Sequence, residues 1–142
     1  MTVTGFVFRD PRPSEVGETY WEYARKGDLA CQRCLDCGRL HRYLSRVCPH
    51  CGSTSYEWDV LGGLGTVYAC SVAYFGLGEE FPPPYVVALI DLDEGVRMMS
   101  NVVDRDPESV AIGDRVEVRF DRVSDTISLP IFVPLDLEPG DG

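Results

Sequence analysis

Six cysteines, at positions 31, 34, 37, 48, 51 and 70, are the residues of this chain best suited to carry chemistry. Four of them form two matched pairs, Cys34-Leu-Asp-Cys37-Gly and Cys48-Pro-His-Cys51-Gly. Two residues between cysteines let both sulfurs reach one ion from a tight turn. The glycine after each pair, Gly38 or Gly52, suits the left-handed backbone of such a knuckle. Two knuckles supply a tetrahedral four-thiolate site. Zinc is the expected ion, and iron could occupy the same sulfurs. Four protein ligands leave no open coordination position, so the metal is expected to be structural. A redox Cys-x-x-Cys needs one pair in a thioredoxin-like setting, which is absent here. A disulfide framework needs an export route. The N-terminus, MTVTGFVFRDPRP, lacks the basic start, apolar stretch and cleavage site of a signal peptide. A cytoplasmic location is therefore expected.

The other candidate ligands are read as bystanders. Cys31 lies on the strand-like run LACQRC, and the regular Cys-x-x-Cys-Gly repeat favours the other four sulfurs. Cys70 lies in GTVYACSVAY and reads as a small buried apolar residue. His41 and His50 read as surface histidines that four thiolates leave unneeded.

Catalytic constellations are missing. Both histidines lie near the cysteines, so no Ser/His/Asp or Cys/His set suggests itself. Gly62-Gly63-Leu64-Gly65 precedes a strand rather than joining a strand to a helix, so it reads as a turn and not a phosphate loop. Glu79-Glu80 reads as solvated loop charge. The chain is expected to be a binding module without activity of its own.

Positioning the cysteines requires a mainly β framework. Residues 1–27 read as an extended arm followed by a short helix. Ser14 could cap that helix, Tyr20, Trp21 and Tyr23 give it an aromatic face, and Gly27 could stop it. Its aromatic face is expected to pack on the neighbouring lobe. Residues 28–58 read as a rubredoxin-like zinc ribbon, with two short strands joined by a turn between the cysteine pairs. Residues 59–133 hold five runs rich in β-branched and aromatic residues: 65–74, 85–92, 96–103, 115–120 and 126–133. Asp93-Glu94-Gly95 marks a hairpin turn. A helical turn is expected within 104–114, after Asp106-Pro107. Five strands with that insert predict an OB-fold barrel. Residues 134–142 read as an acidic tail.

Charge restricts the partners. The net charge is -10, with residues 25–51 at +4 and residues 52–142 at -12. A zinc centre with four thiolates carries about -2, which offsets part of the basic segment. Zinc ribbons followed by OB folds are common in nucleic-acid proteins, but a barrel this acidic is a poor match for phosphate. Single-stranded nucleic-acid binding is therefore the weaker alternative. No apolar run reaches the roughly 20 residues of a membrane helix.

The combined pattern resembles a known family. It comprises Tyr20-Trp21-Glu22, Leu29, Gln32-Arg33-Cys34, Cys37-Gly38, and Arg46-x-Cys48-Pro-x-Cys51-Gly52-Ser53. Farther on come Gly65-Thr66-Val67-Tyr68, the strand Tyr85–Leu92 after prolines, Glu94-Gly95-Val96-Arg97 and Gly113-Asp114. It is similar to the acyl-CoA-associated zinc ribbon/OB-fold family, domain of unknown function thirty-five. Ser45 departs from the proline often found there, and Cys31 from an aliphatic residue. The resemblance implies a non-catalytic partner of thiolase-like proteins, including lipid-transfer-protein-type aldolases. Such members stabilise the partner and help shape the path of a CoA thioester. Some are fused to or associate with hydratases of bacterial steroid side-chain breakdown, and Arg97–Val103 looks similar to the steroid aldolase branch. A hetero-oligomer follows from this. Arg33, Arg42 and Arg46 are candidates for binding CoA phosphates, since arginine binds phosphate bidentately. Their ordinary alternative is a role as solubilising charges or salt-bridge partners. A purely structural adaptor that never touches substrate is the third reading.

Overall fold

The computed structural model describes residues 16–42, 44–76 and 82–135. The expected extended arm, the Ser14 cap and most of the acidic tail lie outside the described residues. One helix, α1 (Gly17–Arg25), precedes eight strands. These are β1 (Leu29–Cys34), β2 (Leu40–His41), β3 (Tyr56–Leu61), β4 (Leu64–Ala73), β5 (Tyr85–Leu92), β6 (Arg97–Val102), β7 (Arg115–Arg122) and β8 (Ser128–Pro134).

Helix α1 ends as its sequence suggests. Gly27 takes a φ of 84°, which costs glycine no steric clash. Gly27 N–H donates to Ala24 O and Asp28 N–H donates to Tyr23 O, closing a Schellman motif on the last carbonyls. Tyr20 is buried, and Trp21 meets it edge-on with ring centroids 5.1 Å apart. Tyr23 reaches Trp58 of β3. The helix thus fastens its aromatic face to the ribbon.

The ribbon sheet has the order β2-β1-β3, all antiparallel. Among the described residues between the cysteine pairs, only the two of β2 form a strand, so the expected pair of strands there is corrected. The third strand is β3, which follows the second knuckle. The physical reason lies in Gln32, which is fully buried. Its Nε2 donates to Ser45 O at 2.9 Å, and its Oε1 accepts from Ser45 N–H at 3.0 Å. A side-chain amide thereby satisfies the backbone of the 44–47 loop, where a strand would otherwise have done so.

Strands β4 to β8 close a barrel in the order β4-β5-β6-β8-β7. This is the five-stranded OB architecture that the sequence predicts. The insert after β6 is shorter than a helix: Pro107–Ser109 makes one 3-10 turn, and Asp106 caps it by accepting from Glu108 N–H. Of the glycine run read as a turn, Gly62 and Gly63 join β3 to β4, whereas Leu64 and Gly65 belong to β4 itself. Gly63 has a φ of 80°, and a β-carbon there would lie 2.5 Å from Val118 Cγ1. At Gly65 a β-carbon would stand 2.8 Å from Asp91 O, a backbone atom that cannot swing aside. One apolar core joins the lobes: Tyr20, Leu29, Cys31 and Leu61 belong to the same buried cluster as Val67, Ile90, Met98, Val116 and Phe132.

Candidate metal centre and its surroundings

The two knuckles are built alike. Gly38 N–H donates to Cys34 O at 3.0 Å, and Gly52 N–H donates to Cys48 O at 2.9 Å. Both glycines take positive φ, at 77° and 80°. The first knuckle leaves β1, and Leu35 N–H donates to Ser55 O at 2.9 Å, which ties it to the approach of β3. Ser53 Oγ donates to Asp36 Oδ2 and links the two knuckles directly.

This frame gathers four sulfurs. The Sγ atoms of Cys34, Cys37, Cys48 and Cys51 all lie within 4.8 Å of one another. Cys34 and Cys51 are 3.5 Å apart, and Cys37 and Cys48 are 3.7 Å apart. A zinc ion with bonds of about 2.3 Å places the sulfurs of a regular tetrahedron about 3.8 Å apart. Disulfide sulfurs would be about 2.05 Å apart. The donor set therefore fits one tetrahedral thiophilic ion. Backbone donors favour ionisation: the Cys37 N–H, 3.5 Å from the Cys34 sulfur, leads the influences that draw that thiol down to about 6. At Cys48, burial opposes ionisation, yet the His50 and Cys51 amides bring the thiol below its ordinary value. At Cys51 the Ser53 amide favours the thiolate, but the crowding sulfurs, Cys34 first, push it up to about 12. Four like charges this close need a cation among them.

Both bystander cysteines lie outside the metal cluster, but Cys70, expected to be buried, is only partly so. Cys31 is fully buried in the shared core, and burial pushes its thiol up to about 11. Cys70 is half-buried and its Sγ approaches Val110 O at 3.7 Å. His50 is exposed, with Nδ1 3.4 Å from Arg39 Nη1. His41 is a correction, because it is buried and not on the surface. It pairs directly with Gln32 across β1 and β2 and so shares that residue's inner side. Neither imidazole belongs to the metal cluster.

The three candidate arginines do not share a groove. Arg33 bonds Asp59 Oδ2 through Nε at 2.5 Å and donates to Gly38 O at 2.7 Å. It lines a groove of about 420 Å³ between the first knuckle and the β5–β6 turn, together with Arg39, His50 and Glu94. Arg42 lies over the Tyr20 ring, 4.6 Å from its centroid, and donates to Tyr20 Oη at 3.1 Å. It lines a second groove of about 180 Å³ with Trp21, Met99, Asn101 and Pro130. Arg46 is exposed on the loop before Cys48. Sequence reasoning missed the Gln32–Ser45 clamp and the bond from Gly62 N–H to Glu94 Oε2 that ties the interlobe turn to the barrel. Neither leaves a spacing signal, because both join residues chosen by the fold.

Fold and site together define a zinc ribbon joined to an OB-fold barrel, with a structural zinc. Residues 21–57 match the family description "ChsH2, rubredoxin-like zinc ribbon domain", and residues 58–121 match "ChsH2, C-terminal OB-fold domain". A "DUF35 domain-containing scaffold protein" of Methanocaldococcus jannaschii is 39% identical over 95 residues, covering 66% of this chain and 67% of the relative. A "probable enoyl-CoA hydratase alpha subunit" of Thermomonospora curvata is 37% identical over 128 residues. That match covers 87% of this chain but only 40% of the relative's length. Among solved structures, "Ltp2-ChsH2(DUF35) aldolase" superposes with a TM-score of 0.80 at 34% identity, covering 88% of this chain and 98% of that one. The chain belongs to the DUF35 family, in which it carries both ChsH2-type domains. Among the described residues no helix is long and apolar enough to cross a membrane.

Proposed function

We propose that this chain is a non-catalytic accessory subunit of a thiolase-like enzyme acting on acyl-CoA thioesters. The observation that carries the reading is its likeness, over 98% of the matched chain, to the DUF35 component of an aldolase. The site supports it: the clustered sulfurs form a closed staple, and neither histidine is hydrogen-bonded to a nucleophilic side chain among the described residues. In this reading Cys34, Cys37, Cys48 and Cys51 hold the structural zinc. The partner carries the nucleophile and the acid/base groups. The narrower form is a retro-aldolase of steroid side chains, for which the Arg97–Val103 stretch speaks. The complex is a cytoplasmic hetero-oligomer.

The chain stabilises its partner and helps to bind the CoA moiety through Arg33, Arg42 and Arg46. Arg33 and Arg42 line different grooves and Arg46 lies on the loop before Cys48, so they would meet different parts of the ligand. Co-expression with the thiolase-like protein encoded nearest to this chain tests the proposal. The two should co-purify, and the isolated chain should turn over no CoA thioester. Turnover by the isolated chain would sink it. Charge reversal of the three arginines should raise KM for the thioester while the complex stays intact. An unchanged KM would leave a purely structural adaptor.

A further inference from the structure

We propose that the outer face of the β4–β5–β6 sheet is where the partner enzyme docks, and that its occupant is an uncharged, apolar patch of that enzyme. The proposal rests on the accessory-subunit reading above.

The strand register sorts this sheet into two faces. Val67, Ile90 and Met98 form a cross-strand row that is buried in the barrel. On the opposite face lie three rows: Thr66–Asp91–Arg97, Ala69–Leu89–Met99 and Ser71–Val87–Asn101. The register shifts between Val67 and Ala69, leaving Tyr68 as the unmatched residue. Such a bulge re-aims a side chain. Tyr68 accordingly stands 50% exposed, and Met99, two strands away on β6, stands 57% exposed.

The polar groups around this row are already occupied. The Arg97 guanidinium stacks on the Tyr68 ring, 3.5 Å from its centroid. It also binds Asp91 through Nε at 2.5 Å and Nη2 at 3.1 Å. Arg115 binds both carboxylate oxygens of Asp93, at 2.7 and 2.8 Å, and Thr66 Oγ1 at 2.9 Å. Asn101 donates to Val86 O at 2.8 Å. Arg97 and Arg115 each face a carboxylate, so these four charges cancel on a chain whose net charge is -10. What the face offers a partner is the row Ala69–Leu89–Met99 and the bulged Tyr68 before it, bordered at the Thr66 end by two closed ion pairs. That is the anatomy of a protein interface, an apolar centre with a polar rim, in residue types that such centres favour.

Other occupants fit less well. Nucleic acid needs free cations, and here the two arginines are neutralised in place. A small molecule prefers an enclosed apolar site, whereas the hollow of about 390 Å³ at this end is lined by the Asp91–Arg97 ion pair. Methionine adapts its shape to a partner surface, and Met99 continues the apolar row around to Trp21 and Pro130 in the smaller groove. Phe75 and Ile112 are more exposed still. Ile112 stands alone among the exposed apolar residues, and Phe75 has only Tyr74 beside it in the chain, its hydroxyl bonded to Glu108; small exposures of this kind are ordinary.

The test measures affinity between the full chain and the thiolase-like protein encoded nearest to it. Wild type should bind. Tyr68→Ser/Met99→Ser should raise Kd roughly thirtyfold, as loss of a central contact does. Met99→Glu alone should do the same, and its exposed position lets the fold tolerate the change. Ile112→Ser should bind as wild type. Zinc content and the urea midpoint of each variant confirm folding. If the Tyr68 and Met99 variants bind as wild type does, the docking surface is wrong and the accessory reading survives. If wild type fails to bind, the accessory reading falls and takes the surface with it. Retention of a single-stranded oligonucleotide that Met99→Glu abolishes would also overturn the proposal.

Discussion

Replacing Gln32 by leucine should loosen the zinc ribbon without removing a ligand. Gln32 is fully buried, and its amide makes two hydrogen bonds to the backbone of Ser45, at 2.9 and 3.0 Å. Leucine is close to glutamine in size, so little cavity forms and the polar loss is isolated. Each bond contributes about 1 kcal/mol net. Ser45 is half-buried, so water restores only part of what its amide and carbonyl lose. A further penalty of about 1 kcal/mol is expected. The total is about 3 kcal/mol. Urea unfolding of the zinc-loaded chain, followed by the fluorescence of Trp21 and Trp58, reads this directly. The loop from Ser45 leads within three residues to Cys48. Chelator competition should therefore release zinc faster from the variant. Ser45→Ala is the comparator: it keeps both backbone bonds and loses only the Oγ contacts with Val47. It should cost less than about 1 kcal/mol. A loss below about 0.5 kcal/mol for Gln32→Leu, the range of an inert surface change, would refute the clamp.

Cys34→Ala or Cys48→Ala should abolish stoichiometric zinc by elemental analysis, whereas Cys31→Ala and Cys70→Ala should leave it at one per chain. Chelation of wild type should loosen the ribbon, seen as lost near-ultraviolet signal from Tyr56 and Trp58; a fully folded ribbon without metal would contradict the structural role of zinc. Gly65→Ala should cost about 1–3 kcal/mol in urea unfolding, because its β-carbon meets the Asp91 carbonyl oxygen at 2.8 Å. Stability should fall as pH rises from about 9 to about 11, because burial raises the Cys31 thiol and the folded chain holds a proton that the unfolded chain releases. Its contribution is complete below pH 9, declines by at most about 1.4 kcal/mol per pH unit above it, and should vanish in Cys31→Ala. At the acid end, the Arg115 hydrogen bond lowers the Asp93 carboxyl below 3.8. The stability it adds is present above that value and is lost as pH falls through the lowered one, so Asp93→Asn should be the less stable at pH 7, by a margin that shrinks as pH falls below 3.8.

The sequence alone determined the features that depend on local spacing. Cys34, Cys37, Cys48 and Cys51 are legible because a two-residue gap and a following glycine are local requirements of a metal knuckle. The five barrel strands and the Gly27 stop are legible for the same reason: alternation, turn residues and left-handed glycine act within a few positions. Only the tertiary structure decided what depends on residues distant in the chain. Nothing in the vicinity of Gln32 announces that its amide replaces a strand pairing at Ser45. His41 reads as a surface residue until its pairing with Gln32 places it inside. Arg33, Arg42 and Arg46 are close in sequence, yet Asp59 draws the first toward β3 and the Tyr20 ring draws the second under α1. Tyr68 points outward because β4 bulges against β5, and the row after it, Ala69–Leu89–Met99, forms only when β5 and β6 become neighbours of β4 and of each other. Spacing along the chain carries the metal site, because its geometry is set by two short turns. The surfaces that meet other molecules are set by which strands become neighbours, and that is decided by burial of the shared core.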